Sequence, residues 1–371
     1  MDSSQKRLKV AVIGVGALGR HHARILAGLP QVELVAVADP NPEIGKAVAE
    51  ACECSWTPDY RTLLKSIDAA SVVVPTAAHF PVCSELLCRD IPILVEKPLA
   101  ATAAEGSELV RLAAEHRLTF QVGHIERFNP AFQQLEGQVD GPKYIRAERF
   151  SPYAFRSMDI GAVHDLMIHD IELVLQLVGE MPARVDAFGA TLVGGREDVA
   201  QARLVFPNGC LVDLTANRVC PGPKRWMQVW SERGVMDVDL GARKLASFEP
   251  GRLLQQGQLP FQLAMESPER IPELKEQIFG EFIATSESEG GASDALTAEL
   301  SSFVEAVIAR RPALVDGQQG LRALQVAEQI VTAIGAHQWD GQPDGRTGPL
   351  AWLNEVTGAD RPEETTERPA A

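Results

Sequence analysis

The sequence predicts an α/β protein: a doubly wound parallel sheet first, then an α+β domain with a large open, mainly antiparallel sheet. Three observations carry this. Up to about residue 125, short runs rich in Val, Ile and Leu alternate with helix-period segments, as strands buried on both faces and their crossover helices do. From about 143, the strands instead alternate apolar with polar residues, the pattern of a sheet with one covered face. The 371-residue length favours two or three domains over one.

The elements follow in order. Residues 8–13 (LKVAVI) read as a strand, then a glycine-rich turn opens a helix with RHHARILAGL. VELVAVAD is a second buried strand ending at Asp39, EIGKAVAEAC a helix, and TPDYRTLLKS a turn-rich stretch. SVVVPT, IPILVEKPLA and LTFQVGH read as further strands, separated by helices over FPVCSELLCRD and AAEGSELVRLAAEHR. The alternating strands are YIRAERF, ARVDAFGATLV, AQARLVF, CLVDLTAN, WMQVWS and VMDVDL, with one helix near 162–178 among them. Residues 250–295 read as irregular apart from a short helix at ELKEQIFGEFI. Two closing helices lie within 297–336, packing back toward the first domain. The expected division is 1–125, 126–340 and a C-terminal extension, 341–371, disordered at its end.

Charge and composition exclude several functions. Thirty-five basic against fifty acidic residues give a net charge of −15, a field that repels nucleic-acid backbones. The six cysteines form no C-x-x-C pair, so no structural zinc site is expected, nor any other metal. No apolar run reaches the ~20 residues of a membrane span, and the first hydrophobic run reads as a strand, not a signal region. A cytoplasmic setting without membrane or nucleic-acid partners is expected.

Gly14-Val15-Gly16-Ala17-Leu18-Gly19 is a G-x-G-x-x-G between a strand and a helix, with Asp39 closing the next strand twenty residues past Gly19. In that context the glycines form a Rossmann dinucleotide loop whose helix N-terminus faces a diphosphate. Asp39 would accept hydrogen bonds from ribose hydroxyls and repel a 2′-phosphate, so NAD is expected over NADP. The alternative is an ordinary glycine-rich turn.

Ligands of open α/β sheets bind beyond the carboxyl ends of the strands. Thr76 and His79 follow one such end, and Glu96, Lys97 and Pro98 another. Lys97 would lie near the nicotinamide, or be a solvated surface lysine. Further on, Asp165 and His169 are four apart on the predicted helix, where they could pair as carboxylate and imidazole for acid–base work or simply support structure. His164 and His169, five apart, would not share a helix face.

Together these segments resemble the Gfo/Idh/MocA oxidoreductase family: the glycine loop, VADP, VVVPTAAH, ILVEKPLA, VGHIERFNPA, the D-x-x-x-H-D helix and the closing helices, over nearly everything from 8 to about 337. The resemblance implies cofactor contacts from the glycine loop (Ala17 and Leu18 included), Asp39, Thr76, His79, Glu96 and Lys97. It implies catalysis by Lys97 and His169, with Asp165 as the carboxylate partner of His169; which of the two is the formal base stays open. GHIERFNPA and the Glu-rich insert look most like the branch that oxidises C3 of UDP-N-acetylglucosamine for a pathway aminotransferase. That implies substrate contacts from Asp165, His169, Arg127 and Asn129, although Arg127 could equally pair with a carboxylate at the domain junction. Lys224 and Arg225 are candidates for an anionic substrate tail, or a solvated turn. The resemblance also implies a homo-oligomer, dimer or tetramer. Other readings are a dehydrogenase of another sugar or inositol, an NAD-dependent glycosidase, and a non-catalytic NAD-sensing regulator.

Overall fold

The computed structural model describes residues 7–351 except 156–159, 194, 292 and 343–344, so the expected disordered end of the chain lies outside the described residues. The first sheet contains β1 (Leu8–Ile13), β2 (Val32–Ala38), β3 (Ser55–Thr57), β4 (Ala69–Val72), β5 (Ile93–Glu96) and β6 (Phe120–Gly123). They lie parallel in the order β3-β2-β1-β4-β5-β6. The crossover helices are α1 (Gly19–Gly28), α2 (Pro42–Ala51), α3 (His79–Leu87) and α4 (Ala103–Glu115). Chain order reverses between β1 and β4, and the crevice there opens at the strands' carboxyl ends, where parallel sheets place ligands.

The edge strand β3 lies between the helix expected over EIGKAVAEAC and the turn-rich stretch that starts at Thr57, where no strand is expected. Three residues of Ser-Trp-Thr are too few to show a period, and the strand exists because its backbone pairs with Ala36–Ala38 of β2.

After α5 (Pro130–Glu136) comes the second sheet. Its strands are β7 (Tyr144–Phe150), β8 (Arg184–Thr191), β9 (Val199–Val205), β10 (Leu211–Asn217), β11 (Lys224–Ser231), β12 (Gly234–Asp239), β13 (Lys244–Pro250), β14 (Ile283–Glu289) and β15 (Leu350–Ala351). Their order is β14-β13-β12-β11-β7-β10-β9-β8-β15; all pairs are antiparallel except β7 with β10 and β8 with β15. α6 (Ile168–Val178) covers one face, entered through a π-helical turn over Val163–Met167. Ile145, Ala147, Val212, Leu214, Met227 and Val229 project from that face into a core shared with Ile168, Ile171 and Val174 of α6. Apart from Ala147, each such side chain contributes roughly 1.5–3 kcal/mol on leaving water.

Residues 250–295 are more ordered than their composition suggests. They form α7 (Arg252–Gln255), α8 (Pro260–Glu266), α9 (Ile271–Gln277) and β14, and the expected helix stops at Gln277. β14 is IATSESE, an edge strand exposed along most of its length; its polar residues carry no apolar alternation, and register with β13 orders it.

α10 (Ala295–Ala309) and α11 (Gly317–Ala336) then return. Leu300, Phe303 and Val304 of α10 enter the core formed by Val10, Val12 and Leu26. α11 straddles both sheets: Leu321 and Leu324 pack under the first, Val326, Ala327 and Ile330 under the second. This double anchorage brings the carboxyl ends of β5 and β6 against the π-turn before α6.

Candidate active site

The glycine loop joins β1 to α1. Gly14 has φ +84°, and a Cβ there would meet the Val73 carbonyl oxygen at 2.5 Å. A Cβ on Gly19 would lie 1.9 Å from the Gly14 oxygen, whereas one on Gly16 would meet nothing within 4 Å. So the outer glycines are demanded by the fold, and the middle one borders open space. α1 has no side-chain N-cap, which leaves its first N–H groups and positive end for an anion. Ala17 and Leu18 are exposed at this entrance, Leu18 by 41% although apolar.

Asp39 is fixed where a ribose would arrive. Its Oδ2 accepts from the Val15 N–H at 2.9 Å and its Oδ1 from the Asn41 N–H at 2.9 Å, while the carboxylate stays partly exposed. Each oxygen keeps a lone pair for a ribose hydroxyl. These residues fit a dinucleotide. Asp39→Ala is expected to weaken NAD binding roughly 10–100-fold, the equivalent of a lost charged hydrogen bond, and to narrow the preference over NADP. Fluorescence titration with both cofactors checks this; an unchanged ratio would contradict the ribose assignment.

Two expected cofactor contacts face inward instead. Thr76 starts a short 3₁₀ turn at the rim, partly exposed. His79, three residues on, is buried, with Nδ1 2.8 Å from the Pro98 carbonyl oxygen and Nε2 3.0 Å from that of Val74. It sits between the loop after β4 and the Pro98 carbonyl, next to the cis Lys97–Pro98 bond, with both nitrogens facing protein carbonyls, so neither is turned toward a cofactor. Glu96 also turns inward: its Oε1 is 3.1 Å from His22 Nε2, and His22 Nδ1 is 2.9 Å from Ser71 Oγ. Its expected contact with the cofactor gives way to this interior position, because Gly123 on the adjoining strand leaves room for the carboxylate there.

Behind Glu96 lies Glu299 of α10, fully buried, neither carboxylate oxygen having a hydrogen-bond partner. Burial, with Glu96 and Glu172 nearby, pushes its carboxyl well above the usual range. The folded protein therefore holds a proton that the unfolded chain releases near 4.5, so this residue lowers stability as pH rises through that window. Glu299→Gln should match the parent at pH 4 and exceed it at pH 8 by on the order of 1–3 kcal/mol, as read by urea unfolding. Equal stability at pH 8 would show that Glu299 is not held protonated.

Lys97 crosses from the first sheet to the second. Its Nζ donates to the Asp165 backbone oxygen at 2.7 Å and lies 3.4 Å from Asp165 Oδ1. The π-turn carrying Asp165 is pinned by Glu197, whose Oε1 accepts from the Val163 N–H at 3.1 Å and whose backbone oxygen accepts from the Ala162 N–H. An i→i+5 turn winds more residues into each turn, so residues four apart no longer stack. That corrects the expected Asp165–His169 pair: Asp165 serves Lys97, and His169 Nδ1 is buried without a hydrogen-bond partner. Burial lowers the His169 pKa well below its ordinary value, assisted by the charges of Lys97 and Arg149. Burial, with Arg196 and Lys97, likewise brings His164 down to about 4. His169 is thus held as a neutral imidazole, with burial the main cause and the Lys97 charge among those acting on it.

The two expected substrate contacts before α5 are structural. Arg127 is buried, its Nη1 donating to Glu172 Oε1 at 2.7 Å and its Nη2 3.8 Å from Glu136. Burial raises the Glu172 carboxyl to about 7 even with Arg127 opposing. Asn129 caps α5 through the Ala131 N–H and donates to Glu126 Oε2 and the Leu240 oxygen. A 3₁₀ turn over Ile125–Phe128 tucks both side chains inward, a turn the sequence does not announce.

The sequence does not announce the network under α6: Arg149 on β7 grips Asp170 with Nε and Nη2 and Glu126 with Nη1. A D-E-R count cannot show it, since its members come from three elements far apart in sequence. Arg225 pairs in register with Arg149 and so shares its face, 57% exposed and 3.6 Å from Glu126. Lys224 is bound to Glu148. Among the described residues no cluster of metal-ligating side chains is present, and no helix is long and apolar enough to cross a membrane.

Comparison with known proteins agrees with this architecture. Residues 8–124 match the oxidoreductase family with NAD-binding Rossmann fold, and residues 131–237 match the GFO/IDH/MocA C-terminal domain. UDP-N-acetylglucosamine 3-dehydrogenase of Acidithiobacillus ferrooxidans is 34% identical over 330 residues, 89% of this chain and 98% of its own. Its solved structure superposes with a TM-score of 0.78 over 88% of this chain and 97% of that one. scyllo-Inositol 2-dehydrogenase (NAD(+)) of Bacillus subtilis is 27% identical over 236 residues, 58% of this chain and 69% of its own. The structure of myo-inositol 2-dehydrogenase from Lactobacillus plantarum, 20% identical, shares the fold with a TM-score of 0.69, covering 89% of this chain and 97% of that one. The chain belongs to the Gfo/Idh/MocA oxidoreductase family and is an NAD-dependent dehydrogenase acting on CH–OH groups.

Proposed function

We propose that the protein oxidises the C3 hydroxyl of UDP-N-acetylglucosamine to the 3-keto sugar nucleotide. The contact of Lys97 with Asp165 across the two sheets, beside a neutral His169, carries the catalytic reading. The full-length likeness to the Acidithiobacillus enzyme supports the substrate.

The glycine loop and Asp39 hold the cofactor, with Thr76 at the rim. Bound NAD supplies a hydride acceptor. Lys97, steadied by Asp165, donates a hydrogen bond to the reacting oxygen and stabilises charge developing on it. His169 accepts the hydroxyl proton, which its neutral state permits, and the C3 oxygen becomes a carbonyl. Arg225, exposed on the face shared with Arg149, offers a bidentate donor to an anionic diphosphate. The reading includes a homo-oligomer, dimer or tetramer, in a cytoplasmic setting, with the keto product consumed by an aminotransferase.

Absorbance at 340 nm with NAD and a panel of UDP-GlcNAc, UDP-GalNAc, myo-inositol and glucose tests it, with an aminotransferase and amino donor drawing off product. NADH formation with UDP-GlcNAc alone is the expected result. Turnover of inositol or a free sugar instead would reject the substrate while leaving Lys97 and His169 in place.

A further inference from the structure

His124 is a buried titratable group that this chemistry leaves without a task. Glu96 of β5 pairs with Gly123 of β6, so Lys97 and His124 leave the sheet side by side at its carboxyl end. The imidazole is 1% exposed, and neither Nδ1 nor Nε2 has a hydrogen-bond partner. A neutral ring has one N–H and one lone pair, each costing about 1–3 kcal/mol when buried and unmatched. Such a cost persists where a group is put to use.

Neither nitrogen is open to solvent, and the charged groups bearing on the ring come from the protein itself. Two cations bear on the ring, Lys97 and Arg127. Arg127 is held by Glu172 and Glu136, although its own Nε is also unmatched. Lys97 has a flexible four-carbon stem and a rotatable ammonium that engages the Asp165 backbone oxygen and lies near its Oδ1, so Nζ can re-aim its donors as the stem moves.

We propose that His124 is a positioning residue for Lys97: its imidazole accepts a hydrogen bond from Nζ as the lysine, kept at the Asp165 turn, swings toward the substrate hydroxyl. The lysine then approaches the reacting oxygen held from two sides, by a carboxylate-bearing turn of one sheet and a strand end of the other. Burial, together with the charges of Lys97 and Arg127, brings His124 down to about 3, which keeps the ring an acceptor at neutral pH. The inference rests on the catalytic role given to Lys97 above.

The test compares His124→Phe, His124→Gln and Lys97→Ala with the parent, using NAD and whichever panel substrate the parent turns over. Phe should lower kcat about 100-fold, with both KM values within about threefold, the mark of lost orientation and not lost binding. Its unfolding temperature should equal or exceed the parent's, because two unmatched polar atoms are gone. Gln, which restores an acceptor, should recover most of kcat. Unchanged kcat in His124→Phe, with Lys97→Ala inactive, would overturn this inference alone. A fall in kcat with a lowered unfolding temperature and no recovery in Gln would also overturn it, pointing to a structural pairing with Arg127. Retained turnover in Lys97→Ala would overturn the catalytic reading itself. Should the Phe variant fail to fold, His124→Met takes its place with the same readings.

Discussion

Lys97→Ala is expected to cut turnover at least ~100-fold while NAD affinity stays nearly intact. The residues fitted to the dinucleotide, Gly14 to Gly19 and Asp39, belong to the turn between β1 and α1, the first residue of α1 and the residue just after β2. Lys97 follows β5 and reaches instead to Asp165, on the turn before α6. Removing the side chain therefore takes away the cation proposed to meet the reacting oxygen and leaves the binding loop untouched. Lys97→Arg should not recover the rate, because a planar guanidinium cannot replace a compact ammonium on Asp165. Steady-state rates with titrated NAD affinity read both quantities. Near-normal turnover in Lys97→Ala would remove this lysine from the chemistry.

His169→Asn is expected to lower the oxidation rate by ~100-fold or more and to change its pH dependence. The sign follows from the site. Oxidation needs the imidazole neutral, and burial with the Lys97 charge lowers its pKa well below 6.5. In the parent enzyme kcat/KM for oxidation should therefore stay level as pH falls through 6.5 and decline only at distinctly lower pH. In His169→Asn that acidic decline should vanish with most of the rate. A parent profile that declines at or above 6.5 would contradict the electrostatics; an unaltered profile in His169→Asn would give the proton to another group.

The fold was legible where sequence period and backbone agreed. β1, the glycine turn and α1 combine a buried strand, two glycines at forced positions with a third between them, and a helix without a side-chain cap, all local features. Asp39 follows at the end of β2 for the same reason. The edges were not legible. β3 is three residues long and β14 is polar, so both owe their order to a neighbouring strand's hydrogen bonds and not to their own pattern.

Within the site, Lys97 and His169 are carried by motifs, but their partners are settled by the tertiary fold. A regular helix would stack Asp165 on His169; the π-turn, held by Glu197 from the loop after β8, gives Asp165 to Lys97 instead. Arg127 and Asn129 lie in a motif that suggests substrate contact, yet one 3₁₀ turn commits them to Glu172 and Glu126. His124 stands in the same motif. Nothing local distinguishes it from a core histidine; its place next to Lys97 follows from the pairing of β5 with β6, and its unmatched nitrogens show only in the folded protein.

The most direct measurement uses UDP-N-acetylglucosamine carrying deuterium at C3. After incubation with NAD and the enzyme, mass spectrometry of the oxidised sugar nucleotide and of the reduced cofactor locates the label. The account predicts a keto product without deuterium and a cofactor one mass unit heavier than that formed from unlabelled substrate. Deuterium retained in the oxidised sugar would show that another carbon is oxidised and would contradict it.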